Sequence, residues 1–551
     1  MKKVFYIFLS ALTLVFAACN KQELAPAEDS SQEGQLTTVT IKASNGDADT
    51  KAAISNSLKF TWTAGDQIAI HTDNGSGTYY TSSGLVSGGS SSADFTVDLA
   101  GNRNGFAVYP ASVANTWDGT DLTLTLPNTY TLAQVSGDES PLPMIAEDGG
   151  SSLSFKHVAG LLRLTISNIP TGTNKIKLDF NGKKVSGDFT ISTPSAGSSS
   201  IASVAGTKGT NDIIWITGTP STDPVTVNIP LPTGATYSDL IVSAWNGNVA
   251  LRGQVVAFNT YTPVRARGKK LSAALNLGAV SIASGKYAVF APGNLQGTYD
   301  GTSWTWDFAA HQYDYIGDGG EETVGNEKIT LSSPWMSGSG TVDLFSWIGA
   351  SGRTDEDVTL QGVAEYGIIS GWFNPNTFGN INEPIKHDWG ELSIAEYASN
   401  TWRTPVGGDS GEWAYMLSTR AGNKFAKAYL MGTTHGVIIF PDNYVHPDGL
   451  AEVQGMNNTG STSWNLNTFT EEEWIQMETA GAVFLPLAGS RTYKRQIIFT
   501  FGLYWSATGI APVGSETLQA RALMFNANYL VPNDNLTRTN GQAVRLVRDL
   551  N

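Results

Sequence analysis

Strict two-residue alternation of apolar side chains, repeated in short runs between turn residues, is what most limits how this chain can fold. Val39, Ile41 and Ala43 alternate with Thr38, Thr40 and Lys42, and Leu122, Leu124 and Leu126 alternate with polar residues until Pro127. The same pattern returns at Leu162, Leu164 and Ile166, at Ile176, Leu178 and Phe180, and at Val225, Val227 and Ile229. A strand sends successive side chains to opposite faces, so each run can bury one face and leave the other wet. Lys175, Lys177 and Asp179 therefore belong to the face turned away from the core. Gly, Asn and Ser supply turns between the runs, and no long helical period precedes residue 280. The expected fold class is mostly β: two tandem antiparallel β-sandwiches followed by an α+β region.

Composition narrows the setting. Apolar residues make up 41% of the 551 residues, enough for globular cores, while charged residues are only 15%. That length suggests three or four domains. The net charge is −15 and no basic block occurs, which argues against nucleic acid, because phosphate binding needs clustered Lys and Arg. Lys2 and Lys3 precede an apolar run over residues 4–16 and the small residues Ala17 and Ala18. This is the pattern of a secretory signal peptide, and the run is too short for a hydrocarbon core of about 30 Å. Phe16-Ala17-Ala18-Cys19 resembles a bacterial lipobox, with Phe16 in place of the usual aliphatic residue. The resemblance implies that Cys19 is the mature first residue and carries the lipid. Cys19 is also the only cysteine, so a lipidated chain has no disulfide and no thiolate ligand for a metal.

The organisation read along the chain is a signal peptide over residues 1–18 and a lipidated flexible tether over 19–36. One β-sandwich follows over 37–150, a second over 151–277, and a third, α+β region over 286–551. Tryptophans and helices appear after Tyr287. The spacing predicts a helix over 471–480, with Thr470 and Glu473 as a capping box, Phe469 and Trp474 as a hydrophobic staple and Gly481 as the stop. A second helix is expected over 411–419, started by Asp409 or Ser410.

Several phrases carry family resemblances. Phe60-Thr61-Trp62 with Ala64–Ile68, Phe106–Ala111, and Leu153–His157 with Leu161–Ile166 together resemble the fimbrillin family of Bacteroidales lipoproteins over about residues 37–277. The resemblance implies a pilus subunit or related surface protein of two sandwiches, in which cleavage after a basic residue lets a neighbour add a strand. Lys51, in Thr50-Lys51-Ala52, is the matching cleavage position. Trp402–Pro405 with Glu412 and Trp413, Phe484–Arg491, Gly502–Thr508, Ala522–Phe525, and Arg538 with Gly541–Arg548 resemble the C-type-lectin-like fold of formylglycine-generating-enzyme-like and Fibrobacter-paralogue domains. The looser phrases at 291–295 and 311–315 often precede that series. Trp505 and Phe525 are expected in its core. Oxidising members of that fold depend on cysteines, which this region lacks. Asn382-Glu383-Pro384 and Pro532-Asn533-Asp534 differ from the calcium and sugar motifs of lectins.

Chemistry-bearing motifs are sparse. None of the six histidines is spaced for a helical metal pair, and no nucleophile elbow or phosphate loop occurs. His387-Asp388 and His446 with Asp448 are isolated pairs, so no metal, cofactor or catalytic residue is assigned and no enzymatic activity is expected. Tyr529, Asn526, Asn528, Asn533 and Asn535 lie close in sequence and form the candidate ligand face, since Tyr and Asn on loops make adaptable contacts. The expected function is a cell-surface lipoprotein of the outer membrane, lipid-anchored, acting as an adhesin or as a tip or minor pilus subunit. Its expected partners are a host or bacterial surface glycan or protein, other pilus subunits by strand addition, and the membrane through the lipid. The alternative is an outer-membrane polysaccharide-binding lipoprotein of a nutrient-uptake system.

Overall fold

The computed structural model describes residues 36–45, 62, 65–73, 79–85, 92–136, 142–147, 150, 152–196, 199, 211–300, 303–316, 321–324, 327–330, 340–345, 347, 388–492, 496–498, 500–510, 519–538 and 540–551. The fold is mostly β. In the first module seven strands close into a barrel in the order Thr37–Asn45, Ser152–His157, Met144–Glu147, Arg103–Tyr109, Gln67–Thr72, Tyr79–Leu85 and Ser92–Leu99. The closing strand is Thr37–Asn45, antiparallel to Ser92–Leu99 and parallel to Ser152–His157. Its alternation is real: Ile41 and Ala43 are fully buried, with Lys42 turned outward. Trp62 sits at the centre with no exposure. Phe95, Tyr109 and Phe155 meet it edge-on at 5.1, 5.2 and 5.5 Å, the arrangement the ring quadrupole favours. The strands on either side of residue 150 are neighbours in this barrel.

The second module has two sheets. One has the order Val225–Leu231, Gly160–Ser167, Gly268–Ala274. The other has the order Leu277–Gly278, Val249–Tyr261, Tyr237–Asn246, Lys175–Asp179, Ile213–Thr217, Thr129–Thr131. Between them lie Leu162, Leu164, Ile166, Ile176, Leu178, Val227 and Ile229, all buried as the alternation requires. Thr129–Thr131 reaches this sheet from before residue 150, and Asp121–Leu126 pairs with Gly187–Ser192.

The outer face of the six-stranded sheet differs from the expectation. Lys177, placed by alternation on the wet face, is only 2% exposed. Its ammonium donates to the Leu550 carbonyl at 2.9 Å and to the Asp179 carboxylate at 3.3 Å. Burial pushes its pKa down, and the Asp179 charge opposes that shift. The same face presents Ile241, Trp245 and Val255, which form one core with Val289, Leu550 and the tryptophans of the third module. Trp245 meets Tyr287 edge-on at 5.8 Å, and Arg548 donates to the Asn181 side chain at 3.2 Å. The third module is therefore a third layer on this sheet. At its edge a Cβ on Gly278 would lie 2.4 Å from the Gly481 carbonyl oxygen and 2.6 Å from Pro441, so only glycine permits the contact.

Within the third module the first and last strands, Lys286–Phe290 and Val547–Asp549, pair with each other. A four-stranded sheet runs Thr468–Phe469, Phe425–Leu430, Thr434–Ile439, Val483–Pro486, and a three-stranded one runs Gly502–Ile510, Gln519–Phe525, Leu530–Thr537. Trp505 and Phe525 are fully buried, as expected. The Glu471–Thr479 helix has the predicted capping box: the Thr470 hydroxyl accepts from Glu473 N at 3.3 Å, and Thr470 N donates to Glu473 Oε2 at 2.8 Å. Phe469 and Trp474 are buried in one cluster, and Gly481 ends the helix with φ 98°. Replacing Thr470 by Ala should cost about 1 kcal/mol, read as a lower denaturation midpoint with an unchanged slope.

The second helix covers the expected residues, but its form and its start need correction. It is a short turn, Glu412–Ala414, widening into a π-type turn over Tyr415–Thr419, and its cap is Gly411 rather than Asp409 or Ser410. The physical reason is a competing partner. Asp409 accepts from the Asn533 amide at 2.7 Å, while the Glu412 carboxylate binds Val406 N at 2.7 Å and Arg403 at 2.6 and 2.8 Å. Among the described residues no helix is long and apolar enough to cross a membrane.

Candidate ligand-binding site

Cys19 and Lys51 lie outside the described residues, as do His387 and residues 382–384. The residues of the predicted ligand face divide between the turn before Leu530–Thr537 and that strand itself. Asn526 sits in the turn before Leu530–Thr537, and its side-chain oxygen accepts from Asn528 N and Tyr529 N at 2.8 and 3.0 Å. Asn533 accepts from Gly408 N at 2.8 Å and donates to Asp409. Asn535 accepts from Arg521. Tyr529 is half-buried against Phe501, and Asn528 is exposed at the turn. Asn526 and Asn533 are thus spent holding backbone, the ordinary work of Asn in turns. His446 is likewise engaged at both ring nitrogens, with the Tyr444 hydroxyl at 3.1 Å and the Ala451 carbonyl at 3.0 Å.

A cleft of about 310 Å³ opens elsewhere in the module, lined by Tyr313, Asp314, Tyr315, Met431, Thr433, Thr434 and Glu471. Three segments build it. The first is the loop 311–316, where His311 stacks on Tyr313 at 5.0 Å and 4°, and Asp314 Oδ2 accepts from His311 N at 3.0 Å. The second is the turn between Phe425–Leu430 and Thr434–Ile439. Met431 and Gly432 both have positive φ, 52° and 67°, and Thr433 N donates to the Leu430 carbonyl at 3.0 Å. This is the backbone of a hairpin turn of the primed type. Met431 there bears a conformation that costs a non-glycine residue about 1–2 kcal/mol, a strain of the kind found at ligand sites. The third is the first turn of the Glu471–Thr479 helix, where Glu471, Glu472 and Glu473 complement the positive end of the helix dipole.

The cleft is chemically one-sided. The Tyr313 hydroxyl lies 3.5 Å from Glu471 Oε1. Burial, and after it the charge of Glu471, raises the Tyr313 pKa, so the phenol remains a neutral donor. Among the described residues, no Lys or Arg lines the cleft. On the same hairpin, His435 stacks on Trp464 at 5.2 Å and meets the tilted ring of Tyr429 at 4.4 Å. Burial lowers the His435 pKa, which keeps the ring neutral.

Tyr313, Asp314 and Tyr315 stood in the sequence as one phrase of a loose family series, and Glu471 as a helix cap. The readable signal was two tyrosines flanking a carboxylate beside an exposed histidine. Nothing local linked that phrase to Thr433 or Glu471, more than a hundred residues away.

No protein-family model matches the chain, and no curated protein matches it. Among solved structures, it is similar to a candidate cell-adhesion protein of Bacteroides ovatus at 13% identity, covering 44% of this chain and 92% of that one, with a TM-score of 0.25. A candidate cell-adhesion protein of Bacteroides uniformis gives 16% identity, 43% and 93% coverage, and a TM-score of 0.26. The C-terminally truncated tip fimbrial protein Mfa3 of Porphyromonas gingivalis gives 13% identity, 43% and 94% coverage, and a TM-score of 0.21. These similarities cover the N-terminal part of the chain.

Proposed function

We propose that this protein is a cell-surface lipoprotein of the outer membrane, tethered through Cys19, that acts as an adhesin or pilus-associated tip or minor subunit. Its third module, lectin-like by sequence resemblance, binds the ligand in the Tyr313–Glu471 cleft, without turnover. The observation that carries this reading is the placement of the cleft. Gly481, at the C-terminal end of the Glu471–Thr479 helix, abuts Gly278 of the second module. Glu471 lies one helix length away, about 14 Å at 1.5 Å per residue. The junction and the cleft-lining Glu471 are at opposite ends of one helix, so docking of the third module at Gly278 and Gly481 does not occupy the Glu471 end where the ligand would bind.

The paired tyrosines favour a glycan, whose apolar ring faces lie well on aromatic rings. They also support the second reading, a polysaccharide-binding lipoprotein for nutrient uptake. Replacing Tyr313 by Ala in the full chain should reduce adherence to a glycan array or to target cells by about tenfold or more, with the melting temperature held within a few degrees. Unchanged adherence by a folded Tyr313→Ala protein would overturn the cleft as the binding site.

A further inference from the structure

We infer that the ligand of this cleft is an amino sugar whose free ammonium is held between Asp314 and Glu471, an inference that rests on the cleft being the binding site. Four observations converge on it. The charged side chains in the lining, Asp314 and Glu471, are both acidic, and neither is ion-paired with any described Lys or Arg. Two aromatic rings, Tyr313 and Tyr315, stand beside these carboxylates. An ammonium near a carboxylate and an aromatic face gains from both the charge and the ring quadrupole. A neutral ligand would bring no charge to complement the two carboxylates of the lining. An anionic ligand would be repelled by them, on a chain whose net charge is already −15.

The remaining lining decides between kinds of cation. Thr433 and Thr434 lie on the turn wall with their hydroxyl oxygens 3.4 Å apart, and each hydroxyl can donate and accept. These groups match the hydroxyls of a sugar ring, and a simple alkylammonium has no use for them. A volume of about 310 Å³ lies at the small end of ligand sites, suited to one or two sugar rings. The Tyr313 hydroxyl is already a neutral donor beside Glu471, so the second oxygen of that carboxylate remains for the ammonium.

The test uses the full-length protein and three probes: an oligomer of glucosamine, the matched N-acetylated oligomer, and choline chloride, followed by calorimetry. The glucosamine oligomer should bind at least tenfold more tightly than its acetylated counterpart, and its affinity should fall with added salt. Glu471→Gln and Asp314→Asn, which keep shape and most hydrogen bonds, should each weaken the glucosamine oligomer about tenfold and leave the acetylated one unchanged. Equal binding of the two oligomers, both lost in Tyr313→Ala, would overturn the ammonium and leave the cleft as the binding site. Choline as tight as the glucosamine oligomer would overturn the sugar. Binding of every probe unaffected by Tyr313→Ala would overturn the inference together with the reading it rests on.

Discussion

Replacing Arg545 by Met should destabilise the third module by about 3–5 kcal/mol, the largest effect expected of any single substitution here. Arg545 has no exposure and joins four parts of the module. Its Nε donates to the Asn294 side chain at 3.0 Å, Nη1 to the Ala291 carbonyl at 3.1 Å, and Nη2 to the Gln312 and Phe484 carbonyls at 3.0 and 2.8 Å. Burial works against its charge and lowers its pKa; the four acceptors offset that cost. Met fills similar space but leaves the Asn294 amide and three carbonyl oxygens buried without their donor, and each such loss costs about 1–3 kcal/mol before the structure relaxes. Lys would keep the charge but not the planar fork that reaches all four. The readout is the thermal transition followed by tryptophan fluorescence, with a fall of about 10 °C for a domain of this size. A shift within 2 °C would show that the four carbonyl groups find other donors.

Deleting residues 286–551 should destabilise the second module as well as remove the binding site. The outer face of its six-stranded sheet, with Ile241, Trp245 and Val255, is buried only because the third module covers it. Exposing apolar side chains of this size costs about 1.5–3 kcal/mol each, so the three together approach the whole stability of a typical domain. The truncated protein should bind hydrophobic dye, aggregate, and melt well below the full chain. Lys177, whose pKa burial now lowers, should return toward its ordinary range, which is measurable by NMR titration. A monodisperse truncated protein with an unchanged second-module transition would contradict the three-layer account. The same result bears on adhesion assays, because loss of binding after this deletion reports folding as well as ligand recognition. Point substitutions in the cleft separate the two.

Particular residues show how far local pattern reaches. Ile176 and Leu178 entered the core that their alternation required, because a strand's two faces are fixed by its pleat. Lys177, between them, did not reach water, because which face of a sheet is covered depends on whatever packs there. Thr470 and Glu473 capped their helix as read, since both partners lie within one turn. Asp409 did not cap the next helix, because Asn533, distant in sequence, accommodates it in a hydrogen bond. The candidate ligand face shows the same dependence: Asn526 bonds within its own turn, whereas Asn533, close in sequence, reaches Gly408 from the following strand.

The sequence by itself therefore determined the mostly-β class, the inward faces of the alternating strands, the caps of the main helix and the core places of Trp505 and Phe525. These depend on periods of two and on contacts within a few residues. Tertiary structure alone decided the closure of the first barrel through a parallel strand pair, the docking of the third module on a sheet face read as polar, and the cleft where Tyr313 meets Thr433 and Glu471. Each of those joins segments whose chemistry is ordinary until the fold brings them within contact distance, and no local spacing encodes such a meeting.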